Sequence, residues 1–129
     1  MILRFLLAVA LGAGIGYQRE RAGKAAGVRT HTLVSSGAAI FTLASIYGFG
    51  GTTVDISRVA AGVVVGVGFI GAGVILRGER EEEVAGLTTA ATIWVTAAIG
   101  LAAGAGMYLI SVISTAIITG ILLLPKIRG

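Results

Sequence analysis

The chain has no cysteine, one proline and one histidine, and only 12% of its 129 residues are charged. Without cysteine there is no disulfide framework, thiolate zinc site, iron–sulfur cluster or cysteine nucleophile. Soluble domains carry roughly 25% charged residues, so a water-facing globular surface is hard to build here. Disorder is excluded by the opposite balance, because 56% of the residues are hydrophobic and disordered chains are poor in them. The 21 glycines follow no G-X-Y period, which excludes collagen. With a mean hydropathy of +0.97, what remains is a small all-α polytopic membrane protein.

A span needs about 20 mostly apolar residues to cross about 30 Å of hydrocarbon. Charged residues interrupt the apolar runs and leave five, over residues 2–17, 31–49, 59–76, 87–103 and 107–124. The first is short and contains Arg4. Gly104, Ala105 and Gly106 separate the last two, and a single helix through them would overrun the bilayer, so a tight turn is expected. The expectation is one transmembrane domain over residues 1–129, a bundle of about five helices. Arg19, Arg21, Lys24 and Arg29 fall in the first loop, Arg77 and Arg80 in the third, and Lys126 and Arg128 in the tail. Only Arg4 and Arg58 lie on the other side. The positive-inside rule then places the N-terminus outside and the C-terminus in the cytoplasm.

Helices in lipid pack where small residues let backbones approach. In the third span Gly62, Gly66 and Gly73 share one helical face, and Gly68 and Gly71 line the next. Two small faces predict a central position for this span. The second span carries a stripe of His31, Ser35, Ala38, Thr42 and Ser45 opposite Leu33, Ile40 and Tyr47. The fourth carries Thr89, Thr92, Thr96, Gly100 and Ala103 opposite Trp94. These hydroxyls either bond backbone carbonyls and neighbouring helices, at about 0.6–2 kcal/mol each, or line a hydrated path. The glycine faces of the third span and the Gly100/Gly104 pair also permit a homodimer.

Gly66-Val-Gly-Phe-Ile-Gly71 matches GxGxxG, but it lies inside an apolar span with Gly86 where the ribose-binding acid would stand, so it reads as helix packing rather than nucleotide binding. No nucleic-acid partner is expected. The first loop is the most chemically dense stretch. Its cations suit anionic lipid, and Arg29, Thr30 and His31 sit at the mouth of the second-span stripe, where they could cap the helix or hold an anion on its amides. Glu20 could pair with Arg29 or join a cation site. Asp55 is a candidate cap for the third helix, with Ser57 as competitor, and Arg58 could snorkel, pair with Asp55 or reach inward. The Glu79–Glu83 run reads as a solvated loop. No span contains Asp or Glu, which argues against a dedicated magnesium path. No nucleophile–base pair is visible, so an enzyme is not expected. No cofactor or metal set is defined, although magnesium or another ion is an admissible ligand.

Three blocks in order resemble the membrane domain of the MgtC/SapB family. They are Gly16-Tyr-Gln-Arg-Glu20 with Ala26-Gly-Val-Arg-Thr-His31, Arg58-Val-Ala-Ala with Gly66-Val-Gly-Phe-Ile-Gly-Ala-Gly73, and Gly86-Leu-Thr-Thr-Ala-Ala-Thr-Ile-Trp94. Gln18 stands where an acid is common, Ala25 where proline is, and Gly62 where glutamine is frequent. The resemblance implies a bacterial inner-membrane protein tied to magnesium homeostasis, survival in host cells and, in some members, restraint of the ATP synthase. It also implies that Arg19, Glu20, Arg29, Thr30, His31, Arg58, Thr88 and Thr89 are positions of interest, and that a soluble C-terminal domain common in the family is absent here. The favoured expectation is a non-enzymatic regulator acting through a membrane-protein partner. The alternative is a transporter or channel using the polar stripes of the second and fourth helices.

Overall fold

A computed structural model describes residues 1–51, 53–76 and 80–124, with side chains of the fourth helix described from Gly86 onward. Among the described residues five α-helices follow one another: α1 Ile2–Arg21, α2 Val28–Leu43, α3 Ser57–Leu76, α4 Arg80–Gly104 and α5 Tyr108–Leu122. A π-helical turn over Ala44–Gly48 extends α2. Among the described residues there are no strands. Three stretches of the described residues are long and apolar enough to cross a membrane, Ile2–Arg21, Ser57–Leu76 and Gly86–Gly104. The α5 stretch is shorter and apolar, and α2 reaches comparable length only with its π turn.

The core is formed by α1, α2 and α4, which pack on one another; α3 lies mainly along α4, and α5 against α4 and α1. The glycines that allow this are on α1 and α4. A Cβ on Gly12 would strike Ser35 and the His31 carbonyl, and one on Gly16 would strike Val28 and Gly27. These contacts run antiparallel. A Cβ on Gly100 would overlap the backbone of Ser35, and one on Gly104 would press on Ala39 and Thr42, so α2 and α4 run parallel at backbone contact. The turn between α4 and α5 is closed by Gly106 N–H to Ala103 O and Met107 N–H to Ala102 O, with Gly106 at φ +86°. Arg4 covers it, donating from Nη1 to Gly104 O at 3.4 Å with its guanidinium 5.6 Å from the Tyr47 ring.

The third helix does not occupy the expected centre. Gly62, Gly66, Gly68 and Gly73 have nothing within 4 Å of a notional Cβ, and only Gly71 meets a neighbour, Ala90. The central helix is α4, because its small face continues a run of hydroxyl residues that also bury, whereas α3 alternates glycine with valine and isoleucine that prefer lipid. The α2 and α4 stripes do face inward: His31, Ser35, Ala38, Thr42 and Ser45 are buried, as are Thr89, Thr92, Thr96, Gly100 and Ala103. Trp94 is exposed on the far side.

Candidate functional site

The surface of the bundle is inverted relative to a soluble protein. Phe69 is 83% exposed and Leu76 85%, while the fully buried side chains include His31, Ser35, Thr89, Thr96 and Ser111. A soluble monomer rarely exposes contiguous apolar area of this extent, and lipid supplies the missing apolar solvent.

Most interior hydroxyls are committed to backbone. Thr92 Oγ1 donates to Thr88 O at 2.8 Å and Thr96 Oγ1 to Thr92 O at 2.6 Å. Thr42 Oγ1 donates to Ala38 O at 2.8 Å. Ser35 Oγ crosses to Ala8 O of α1 at 2.7 Å, and Ser45 Oγ ties the π turn to Ile56 O at 2.7 Å. These bonds satisfy the donors inside the bundle rather than offering them to water.

The candidate residues divide between the two ends. At one end α1 finishes, α2 begins and the apolar part of α4 begins. Here Arg19 is 2% exposed and His31 0%, and Arg19 Nη2 donates to Thr89 Oγ1 at 3.2 Å across α1 and α4. His31 Nδ1 lies 2.9 Å from Gly27 O. A carbonyl only accepts, so Nδ1 carries the proton. Arg19 Nε and His31 Nε2 are buried without a hydrogen-bond partner, as are Gln18 Oε1 and Thr32 Oγ1. Glu20 is exposed, and its Oε1 accepts from Val28 N–H at 3.4 Å. The α2 N-terminus therefore holds the chain's own carboxylate, a favourable charge at the positive end of the helix dipole. A Cβ on Gly27 would meet that carboxylate, so a side chain there would make Glu20 shift. Arg29 is exposed, and Thr30 and Thr88 are half-buried.

Asp55 and Arg58 belong to the other end, about 25 Å away along α3 at 1.5 Å per residue. Asp55 Oδ1 accepts from Ser57 N–H at 3.0 Å and from Ser57 Oγ at 2.7 Å, closing the start of α3. The Ser57 hydroxyl first, then its backbone N–H, hold the Asp55 carboxyl below its ordinary value. Arg58 is exposed and lines a shallow depression with Ser45, Phe49 and Asp55. The Glu79–Glu83 side chains lie outside the described residues. Among the described residues no three His, Asp or Glu side chains gather as a metal site.

The depth to which Arg19 is buried has a signal in the sequence of α1. Ala8, Gly12, Ile15, Gly16 and Arg19 recur at helical spacing and form the buried face of α1. A cation on the same face as a small-residue pair is directed into the bundle.

An all-helical bundle with lipid-facing apolar helices and a polar, hydroxyl-rich interior is a membrane domain. Residues 5–127 match the MgtC family, and the chain belongs to it. It is 51% identical over 113 residues to the Escherichia coli K12 protein named "Putative magnesium transporter YhiD", covering 83% of this chain and 52% of that one. It is 44% identical over 122 residues to Protein SrpB of Synechococcus elongatus, covering 87% and 67%. It is 45% identical over 119 residues to Protein MgtC of Salmonella typhimurium, covering 91% and 48%. The chain thus spans about half the length of YhiD and MgtC. No solved structure gives a significant match.

Proposed function

We propose that this chain is the membrane domain of an inner-membrane regulator of magnesium and ion homeostasis that acts by contact with another membrane protein. The proton-driven ATP synthase is the partner that the family resemblance suggests. Five spans with the Arg19–Arg29 end in the cytoplasm suit the distribution of cations. The observation that carries the reading is the closure of the interior hydroxyls on backbone carbonyls. A cation path in a membrane uses carboxylates or stacked carbonyls; the five apolar runs carry no Asp or Glu, and α2 and α4 are pressed together at Gly100 and Gly104. The open glycine face of α3 is the natural contact surface for a partner helix, because helices in lipid associate where backbones approach closely.

Transport is the second reading. The name of the Escherichia coli relative favours it, as does the π turn at Ala44–Gly48, since such turns are frequent at functional sites. Purified chain in liposomes separates the two. The regulator reading expects no flux of magnesium, potassium, proton or phosphate above empty vesicles. A flux abolished by Arg29→Ala and Thr89→Val, with helicity intact, would establish transport instead.

A further inference from the structure

At the cytoplasmic end of the bundle a guanidinium is buried without a carboxylate among the described residues. Arg19 has one neutral bond, to Thr89, and its Nε–H is unused. Burying a cation without a counter-charge is costly. His31, wholly buried and within electrostatic reach of Arg19, leaves Nε2 unused as well. Each of the three elements contributes at about the same depth. Arg19 is in the last turn of α1, His31 in the first turn of α2, and Thr89 in the first turn of the apolar part of α4. Arg19 and His31 lie within about one turn, roughly 5 Å, of the ends of α1 and α2, and Thr89 meets Arg19 at the start of the apolar stretch of α4.

We propose that Arg19 and His31 form a site for a single phosphate-type oxyanion at this end of the bundle. A phosphate has enough acceptor oxygens to take the Arg19 Nε–H and still reach exposed cations on the rim, and a guanidinium edge suits it. With its proton on Nδ1, His31 accepts at Nε2 from a P–OH group, or donates there once protonated. A divalent cation is disfavoured by the Arg19 charge. Arg21 and Arg29 are exposed nearby in sequence and raise the local anion concentration. Glu20 on the same rim opposes an anion, but its carboxylate is engaged by Val28 N–H. Both unused atoms are sealed from solvent, so binding requires the mouth to part, where the Glu20–Val28 bond is long at 3.4 Å.

The test uses the full chain and two probes. Inorganic phosphate is titrated into protein in phosphatidylcholine nanodiscs, and retention of phosphatidylglycerol against phosphatidylcholine is measured by native mass spectrometry. Binding of about one equivalent of one probe is expected. Arg19→Gln and His31→Asn each weaken it about tenfold or more, and Arg58→Gln at the opposite end leaves it unchanged. Saturation by inorganic phosphate alone identifies a free anion as the source. Retention of phosphatidylglycerol that phosphate does not displace identifies a lipid. If Arg19→Gln fails to fold, His31→Asn carries the test. Binding of neither probe, or binding that survives a folded variant, overturns the site and leaves a bridging water as the partner of both atoms.

Discussion

Single residues set how closely the helices approach, and glycines of the same chain differ in what they do. Gly100→Ala would drive a methyl into the Ser35 backbone, so α4 must move off α2. Overpacking of this kind costs about 1–3 kcal/mol. Gly73→Ala meets nothing and is expected to be neutral, or to stabilise by up to about 1 kcal/mol through helix propensity. Denaturation of the two variants in detergent, followed by circular dichroism, checks the contrast. Asp55 gives a pH-dependent counterpart. Its folded pKa is depressed by Ser57, so its contribution is present above the unfolded value of about 3.9 and is lost as pH falls through the lower folded value. Amide protection at the start of α3 should weaken in that acid window. Asp55→Ala should show weak protection at neutral pH already, with no further acid step in hydrogen exchange.

Elements are held by contacts between ends as much as by faces. Glu20, at the end of α1, serves the first amide of α2. Arg4, at the start of α1, serves the carbonyl end of α4. Each places a charge where the helix dipole favours it, at about 0.3–1 kcal/mol. Glu20→Ala should fray the first turn of α2, seen as faster amide exchange there with α5 unchanged. The inward stripes of α2 and α4 were legible because their polar and small residues recur at helical spacing. The central placement of α3 was not a sound inference from the same rule. A glycine face allows close packing but does not say whether the neighbour belongs to this chain. Gly12 and Gly16 lie in a short first span with a weak hydropathy signal, yet their four-residue spacing is the one that brings α1 onto α2.

At the scale of the whole molecule, topology and association are each testable by labelling and crosslinking. The absence of cysteine makes the chain a clean background for labelling. Ala22→Cys is expected to react with an impermeant maleimide only from the cytoplasmic side, and Thr53→Cys only from outside; the reverse pattern would invert the proposed orientation. The glycine face of α3 should matter for assembly and not for the fold. Gly62→Leu with Gly66→Leu is expected to leave thermal stability little changed, because each position is open. Crosslinking in native membranes to a partner, or to a second copy, should be lost. If crosslinking persists in the double variant, that face is not the contact surface.

The sequence by itself determined the medium and the helices. Composition excludes water as the surrounding solvent, and in lipid each backbone segment must satisfy its own hydrogen bonds, so apolar runs of this length become helices. It also supplied the polar stripes, the tight turn at Gly104–Gly106 and the family. The tertiary structure alone decided which helix is central and that Arg19 and His31 are enclosed together. The physical reason is that small residues permit many pairings of nearly equal value in lipid. The choice among them depends on backbone-to-backbone fit, as at Gly100 against Ser35, which periodicity along one helix does not encode.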